Sequence, residues 1–173
     1  SQKAIGKSSR SNPVTYIKAY DEIRKLFSSQ RESKIRGYKP KHFSFNVDGG
    51  RCESCKGEGI NTIEMQFMPD VNLTCESCNG TRFKREILEV NINGKNISDI
   101  LNLTVDDAII FFNELEEIKI SDKLSVLQKV GLGYIKLGQS SSTLSGGEAQ
   151  RVKLAYFLSV KTKSKNGLFL FDE

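Results

Sequence analysis

The chain has 173 residues, of which 38% are hydrophobic, and 26 basic against 21 acidic residues give it a net charge of +5. No apolar run approaches the roughly 18 residues that a membrane-spanning helix needs, so the sequence predicts no transmembrane segment. The first five residues also lack the apolar core of a secretion signal. We therefore expect a cytoplasmic protein. Because the sequence starts without Met and ends directly after a predicted strand, we expect it to be a piece of a longer chain.

The positive charge is concentrated at the start of the chain, where residues 1–41 contain eleven basic and only three acidic side chains. A segment of this kind attracts polyanions, nucleic acid above all. A solvated helix face explains the same charge equally well.

A helix is predicted within this segment, from Asn12-Pro13, which suit a helix start, to about Ser29. Its apolar stripe recurs at helical spacing and consists of Tyr16, Tyr20, Ile23 and Phe27. Three basic residues fall off that stripe and so face solvent or a partner: Lys18, Arg24 and Lys25.

The four cysteines of the chain occur as two identical pairs, Cys52-Glu-Ser-Cys55 and Cys75-Glu-Ser-Cys78, separated by 19 residues. This spacing is typical of a zinc ribbon or a related four-thiolate site. Glycines suit the tight turns that follow the pairs: Gly57, Gly59 and Gly80. Disulfides are the alternative, but the lack of a secretion signal argues against them. We expect the four cysteines to bind structural Zn²⁺, since four thiolates leave no open position for catalysis.

Alternation of apolar and polar residues predicts three strands around the cysteines: Phe43–Val47, Ile63–Phe67 and Leu88–Ile92. Asn93-Gly94 then predicts a type I′ hairpin turn. We therefore expect a β-rich module flanked by helices. From Arg51 to Glu89 it carries five basic and seven acidic residues, so a nucleic-acid contact would depend on three local cations: Arg82, Lys84 and Arg85.

Two helices are predicted after this module. Thr104 and Asp107 have the outline of a capping box, which opens a helix that continues through Leu115. A second helix is expected from Ser121 up to Gly131.

The segment Leu144–Glu148 reads Leu-Ser-Gly-Gly-Glu and precedes another predicted helix, whose apolar residues are Val152, Ala155 and Leu158. A helix start exposes backbone N–H groups, so Ser145 and the two glycines after it favour an anion. By itself such a segment is more often an ordinary loop.

A short apolar run, Leu168–Phe171, follows this helix and ends in Asp172 and Glu173. This pattern is typical of a buried strand that delivers carboxylates to a phosphate-bound metal. In this order and at this distance, the two segments resemble the signature motif and the Walker B strand of an ATP-binding-cassette (ABC) ATPase. Gly6-Lys7-Ser8 matches the end of a Walker A motif, but that pattern needs a glycine where Ser1 stands, so the chain has no recognisable Walker A.

Further segments occur in one order along the chain: Arg10–Tyr16, Arg36–Tyr38, Phe43–Cys55, Met68–Val71 and Gly131–Gln139. With the motifs above, they resemble the C-terminal ATPase half of UvrA, the damage-recognition subunit of bacterial nucleotide excision repair, over essentially the whole chain. The resemblance implies a signature region that carries a zinc-bearing insertion between Walker A and the signature motif. The chain would then run from after Walker A to Walker B.

The resemblance also implies the roles of several residues. Contacts to an ATP held mainly by the other ATPase half fall to the signature segment: Ser145, Gly146, Gly147 and Glu148. Asp172 would help to position Mg²⁺ through water, and Glu173 would polarise the attacking water. ATP-driven changes would reshape a surface that binds damaged double-stranded DNA and loads UvrB, in a protein that forms a homodimer.

Charge and helical facing assign the DNA phosphate contacts to Lys18, Arg24 and Lys25, with Arg10 and Arg36 behind them. The runner-up functions are a chaperone-like zinc module, because Cys52–Gly59 matches the repeat of DnaJ, and a purely structural zinc-binding module. A chromosome-maintenance ABC ATPase is a further alternative, but the sequence lacks sustained heptads. The two zinc-module alternatives leave the C-terminal motifs without a use.

The predicted fold is α+β or α/β, an ABC-ATPase signature region with an inserted β-rich four-cysteine zinc module. Its predicted segments are a basic helical segment (1–44), a zinc module (45–93), a helical signature region (94–143), and the signature helix with the Walker B strand (144–173). The one histidine, His42, is expected to be a surface or packing residue.

Overall fold

The structure, a computed structural model, describes residues 11–168, with side chains as far as Lys161. The helices are α1 (Pro13–Tyr16), α2 (Ala19–Ser29), α3 (Arg31–Arg36), α4 (Arg85–Leu88), α5 (Ile97–Asn102), α6 (Val105–Glu114), α7 (Ile118–Lys129) and α8 (Gly146–Leu168). Short 3₁₀ helices span Pro40–Phe43 and Ser141–Thr143, and the strands are β1 (Ile60–Ile63) and β2 (Val71–Thr74). The described chain is therefore mostly helical. None of its helices combines the length and the hydropathy of a membrane span.

These elements separate into two compact units. Of the described residues, 11–22 and 101–168 form the first unit, and the second runs from Ile23 to Ile100. The four segments predicted from the sequence follow the order of the motifs rather than compactness, and they stay a prediction.

The first unit is built on contacts among its long helices, α6 with α7 and α7 with α8. Each of these helices contributes buried side chains at helical spacing: Val105, Ala108 and Phe112, then Leu124 and Leu127, then Val152 and Ala155. The predicted cap of α6 is confirmed, because Thr104 Oγ1 accepts a hydrogen bond of 3.1 Å from the N–H of Asp107. Helix α7 begins at Ile118, three residues before the predicted start at Ser121.

The helix predicted from Asn12 to Ser29 is broken in the structure. Asn12 caps α1 as expected, its Oδ1 accepting from the N–H of Thr15 at 3.0 Å, but α1 ends at Tyr16. Lys18 then adopts a φ of +66° before α2 begins, and its carbonyl oxygen accepts a hydrogen bond of 3.4 Å from Lys123 Nζ. Three of the four residues of the predicted apolar stripe lie in α2 and keep their helical spacing there. The sequence pattern therefore did not reveal the break between α1 and α2.

The strand predicted at Phe43–Val47 is wrong. Phe43 ends a 3₁₀ helix, and Phe43, Ser44 and Phe45 are all buried, so the side chains do not alternate between a core and solvent. The reason is that later backbone, at Gly50 and Gly57, packs directly against the backbone of this segment and of the residue before it. A Cβ on Gly50 would lie 1.7 Å from the carbonyl oxygen of His42, and one on Gly57 would lie 2.1 Å from that of Phe45. His42 itself packs its ring against Tyr38, as expected of a packing residue.

The strand between the cysteine pairs is shorter and earlier than predicted. Strand β1 ends at Ile63 and pairs antiparallel with β2, with Ile60 opposite Thr74 and Ile63 opposite Val71. The N–H of Met65 donates to Asp70 Oδ1 at 3.2 Å within the connecting loop. Both strands are largely exposed, so this hairpin projects from its unit instead of covering a core.

The strand predicted at Leu88–Ile92 is also wrong, because Leu88 ends helix α4 and only Ile92 of this segment forms a β-bridge, with Lys95. Val90 and Ile92 are buried and Asn91 is exposed, so the alternation is present without a strand. The predicted turn after it is confirmed. Asn93 and Gly94 have φ values of +46° and +77°, and Ile92 and Lys95 exchange backbone hydrogen bonds of 2.9 and 3.0 Å. With only two four-residue strands among the described residues, the expected β-rich module is a mainly loop-built one.

Candidate functional site

The four cysteine sulfurs meet in the second unit. Cys52 Sγ lies 4.0 Å from Cys75 Sγ, Cys55 Sγ lies 3.7 Å from Cys78 Sγ, and all four sulfurs lie within 4.8 Å of one another. The side chains are buried and form no disulfide. The predicted pairing of the two motifs into one site is therefore observed.

The spacing of the sulfurs fits a tetrahedral four-thiolate ion. Sulfurs placed about 2.3 Å from a central Zn²⁺ lie about 3.8 Å apart along each edge of a regular tetrahedron. The two distances of 3.7 and 4.0 Å match that edge. A site with four thiolates is closed to substrate, which suits a structural ion.

Both cysteine pairs end in the same backbone turn. Lys56 and Gly57, after the first pair, have φ values of +51° and +82°, and Asn79 and Gly80, after the second, have +52° and +81°. Left-handed backbone turns the N–H groups that follow back toward the last sulfur of each pair. The two motifs therefore form a local repeat in structure as well as in sequence.

The repeat extends to the fourth residue after each pair. Gly59 and Arg82 occupy this position with φ values of +76° and +75°. The N–H of Gly59 donates to Cys55 Sγ at 3.2 Å, and the N–H of Arg82 donates to Cys78 Sγ. Backbone N–H donors of this kind stabilise thiolates, as the sulfurs around a metal require.

The same two residues also connect the repeats. The N–H of Cys75 donates to the carbonyl oxygen of Gly59 at 3.0 Å, and the N–H of Cys52 donates to that of Arg82 at 2.9 Å. Each pair is thus held at its first cysteine by the end of the other pair.

Two arginines that the sequence did not assign to the metal centre support its turns. The guanidinium carbon of Arg82 lies 4.0 Å from the centre of the Phe45 ring, and its Nε donates to the carbonyl oxygen of Gly57 at 2.7 Å. In the sequence, the only signal for Arg82 is that it stands where the first repeat has Gly59.

Arg51 supports the first turn in a similar way. Its guanidinium is nearly buried and donates to Asp48 Oδ1 through Nε and Nη2, at 3.0 and 2.7 Å, and to the carbonyl oxygen of Lys56 through Nη1 at 3.1 Å. The positive charge therefore lies next to a turn that leads out of the metal centre.

The environments of the cysteines separate their pKa values. Burial raises the pKa of Cys55 to about 12, and burial also raises the pKa of Cys78. Burial opposes ionisation of Cys75 as well, but hydrogen bonds from Cys78 and Ser54 outweigh it and lower the pKa of Cys75 to about 6. A coordinated cation deprotonates all of its thiol ligands, whatever their pKa values without it.

A shallow groove of about 560 Å³ lies beside both cysteine pairs. Its rim includes Lys84, whose Nζ lies 3.0 Å from Glu53 Oε1, and Arg85, which is exposed. Glu53 raises the pKa of Lys84 through this contact. Of the three local cations considered for nucleic acid, Arg82 and Lys84 are therefore engaged within the unit.

The signature segment lies at the start of α8 in the first unit. The N–H of Ser145 donates to Glu148 Oε2 at 2.9 Å, and the N–H of Glu148 donates to Ser145 Oγ at 3.2 Å, which makes a complete capping box. Gly146 and Gly147 are exposed, and a Cβ added to either would meet nothing within 4 Å. The start of α8 is thus open on its glycine side, and Glu148 caps it.

Tyr134 also contacts the capping box; it lies in the segment Gly131–Gln139, to which the sequence pattern assigned no role. Its hydroxyl donates to Glu148 Oε1 at 2.5 Å. This hydrogen bond lowers the pKa of the Glu148 carboxyl and raises the pKa of the Tyr134 hydroxyl.

The predicted DNA-contacting residues differ in their surroundings. Lys18 and Lys25 are exposed, whereas Arg24 is half-buried. Arg36 is exposed but ion-paired, with Nε 2.7 Å from Glu32 Oε1 and Nη1 2.6 Å from Glu89 Oε2.

Several predicted site residues lie outside the described residues: Arg10, Asp172 and Glu173. Of the predicted strand Leu168–Phe171, only Leu168 belongs to the described residues, and it is the last residue of α8.

No protein-family model matches the chain. It is similar to the UvrABC system protein A of Clostridium perfringens, with 57% identity over 172 residues, and to that of Bacillus subtilis, with 54% identity over the same length. Each of these alignments includes 99% of this chain and 18% of the relative, so the chain spans less than a fifth of the length of these curated relatives.

The fold is similar to that of a solved protein. The crystal structure of UvrA2 from Deinococcus radiodurans matches with a TM-score of 0.83 and 52% identity, over 89% of this chain and 19% of that chain. The likeness of sequence and the likeness of fold therefore point to the same group of proteins.

Proposed function

Since this chain belongs to the UvrA family, we propose that it forms part of the ATPase that recognises DNA damage in nucleotide excision repair. We place it in the C-terminal ATPase half, between Walker A and Walker B. Two features of the chain support this proposal: the Ser-Gly-Gly-Glu segment that opens α8, and the four-cysteine cluster that precedes it.

The proposed role of the signature segment is to bind the γ-phosphate of an ATP held mainly by the other ATPase half. The observation that carries it is the open start of α8, where exposed glycine N–H groups and the helix dipole favour an anion. Asp172 would help to position Mg²⁺ through water, and Glu173 would polarise the attacking water. Catalysis then consists of positioning and charge stabilisation, as phosphoryl transfer requires.

The proposed role of the cysteine cluster is to hold a structural Zn²⁺ through Cys52, Cys55, Cys75 and Cys78. Two observations support this role: the S···S distances of the cluster, and the backbone N–H groups that donate to the sulfurs of Cys55 and Cys78. An ion bound there would cross-link the two turns that follow the cysteine pairs, which have little regular secondary structure to stabilise them.

The proposed DNA surface uses phosphate contacts from the basic first segment. The exposure of Lys18 and Lys25 supports them as contacts, with Arg24 and Arg10 as further ones, while the carboxylates around Arg36 offset its charge. In this proposal the full protein acts as a homodimer, prefers damaged double-stranded DNA and loads UvrB.

The zinc and DNA proposals can be tested on the purified 173-residue chain. We expect one Zn²⁺ per chain by elemental analysis, and none in a Cys75→Ser variant. Lys25→Glu should weaken binding of a DNA duplex and flatten its salt dependence, because one phosphate contact is lost. Lys129→Glu, which makes the same change of charge at an exposed position of α7, is the control. A chain without zinc, or two variants that bind alike, would contradict the respective proposal.

The ATPase proposal is tested in a full-length UvrA protein that carries this sequence. Ser145→Ala and Glu173→Gln should each lower the kcat of ATP hydrolysis, while the 173-residue chain alone, which has no recognisable Walker A, should not hydrolyse ATP. Robust turnover by the short chain, or full activity of both variants, would overturn the assignment.

A further inference from the structure

Tyr134 is held in place by the backbone on both sides of it. The carbonyl oxygens of Gly133 and Ile135 accept hydrogen bonds of 2.9 Å from the N–H groups of Asp106 and Val105, at the start of α6. A Cβ on Gly133 would lie 2.1 Å from Asp106 Oδ1, so any side chain there would have to displace the Asp106 carboxylate. The Tyr134 side chain is nevertheless 58% exposed, so its ring contributes little to a core.

The hydroxyl of Tyr134 and the signature segment share one carboxylate. Glu148 accepts from Tyr134 through Oε1, at 2.5 Å, and from the N–H of Ser145 through Oε2, at 2.9 Å. Tyr134 holds Oε1 of Glu148 and is itself fixed to α6. This contact orients Oε2 of the same carboxylate toward the N–H of Ser145. The capping box is therefore tied to the body of the first unit and not only to its own helix.

This arrangement matters for the groups that face an anion. Ser145 Oγ accepts from the N–H of Glu148 at 3.2 Å, which leaves the hydroxyl proton of Ser145 able to donate elsewhere. The N–H groups of Gly146 and Gly147 follow at an exposed helix start. A carboxylate that turned away from Ser145 would give up the hydrogen bond from the N–H of Ser145, which fixes the first residue of the segment.

We propose that Tyr134 is a positioning residue for ATP hydrolysis, which holds Glu148 so that Ser145, Gly146 and Gly147 face the γ-phosphate. This inference rests on the proposed role of the signature segment. Tyr134 acts through Glu148 and does not touch the nucleotide. Its effect belongs to the closed, reacting state, because the ATP itself is held mainly by the other half.

The test uses Tyr134→Phe in a full-length UvrA protein that carries this sequence, with kcat and KM for ATP measured separately. We expect kcat to fall about three- to tenfold, the effect of one hydrogen bond, with KM changed by less than about twofold. Tyr156→Phe is the matched control, since the ring of Tyr156 packs on Tyr16 and the substitution removes only a hydroxyl. An unchanged kcat in Tyr134→Phe would overturn the inference.

A double substitution distinguishes positioning through Glu148 from any other route. Glu148→Gln should lower kcat by itself, and adding Tyr134→Phe should then lower it by less than about twofold. If the fold-losses of kcat in the two single variants multiply in the double variant, Tyr134 does not act through Glu148. The carboxyl of Glu148, followed by NMR in the 173-residue chain, should titrate at a higher pH in Tyr134→Phe than in the unsubstituted chain. An unshifted titration would contradict the contact itself.

Ser145→Ala separates the two proposals. If Ser145→Ala retains full kcat, the role of the signature segment is wrong and the inference about Tyr134 falls with it. If Ser145→Ala lowers kcat while Tyr134→Phe matches Tyr156→Phe, only the inference about Tyr134 is wrong.

Discussion

At the scale of single residues, the four-cysteine cluster depends on left-handed backbone. Residues with positive φ follow each cysteine pair, and they include Lys56, Asn79 and Arg82 as well as glycines. Residues with a Cβ are therefore tolerated at some of these positions, although left-handed backbone strains them more than it strains glycine. Gly57 is different, because a Cβ there would lie 2.1 Å from the carbonyl oxygen of Phe45.

We predict that Gly57→Ala lowers the free energy of unfolding of the zinc-loaded chain by about 3 kcal/mol or more, from left-handed strain and overpacking together. Gly37→Ala is the matched control. Gly37 has a similar φ of +71°, but a Cβ there would meet nothing within 4 Å, so only the strain of about 1–2 kcal/mol applies. Urea denaturation of both variants checks the difference, and equal losses would show that the contact with Phe45 relaxes.

The cysteine ligands could be predicted from the sequence, whereas their supports could not. Two Cys-x-x-Cys pairs separated by 19 residues are typical of a four-thiolate metal site, so the spacing of all four cysteines indicates the chemistry. Arg82 looks like a surface cation in the sequence. Its contact with Phe45 joins residues far apart along the chain, and only the folded loops bring the two together.

At the scale of elements, the helix patterns after the cysteine pairs predicted helices correctly, the pattern from Asn12 to Ser29 missed a break at Lys18, and the strand patterns mostly failed. Helices α6, α7 and α8 form where they were predicted, because a helix needs only its own backbone hydrogen bonds. In α8, Val152 and Ala155 are buried as predicted, whereas Leu158 is 39% exposed. A strand needs a partner, and the alternation at Phe43–Val47 has none among the described residues. A five-residue alternation therefore does not distinguish a strand from a loop packed on both sides.

The hairpin of β1 and β2 gives a prediction about stability at this scale. Phe67, in its connecting loop, is 93% exposed, while Phe27 of α2 is fully buried and packs on Phe43 at 5.4 Å between ring centres. Phe67→Ala should change the free energy of unfolding by less than about 0.5 kcal/mol, and Phe27→Ala should lower it by about 3–5 kcal/mol. Chemical denaturation of both variants checks this. A large loss in Phe67→Ala would mean that the hairpin packs on something within the chain.

At the scale of the whole molecule, the two candidate sites lie in different units. The cysteine cluster belongs to the unit from Ile23 to Ile100, and the signature segment belongs to the first unit, residues 11–22 and 101–168. Neither unit was evident from the sequence, because the first is assembled from segments nearly 80 residues apart. The order of motifs along a chain does not indicate which segments pack together.

This division predicts a localised response to loss of the metal. A strong chelator should raise amide hydrogen exchange between Cys52 and Arg82, because the turns there are held by the sulfurs and by few other elements. Helices α6 and α7 should keep their protection, since they belong to the other compact unit. Mass spectrometry of exchanged, digested protein makes the comparison, and a Cys75→Ser variant should show the same pattern without chelator and no further change with it. Loss of protection in α6 and α7 as well would mean that the two units unfold together, and no change anywhere would mean that the four cysteines hold no structural metal.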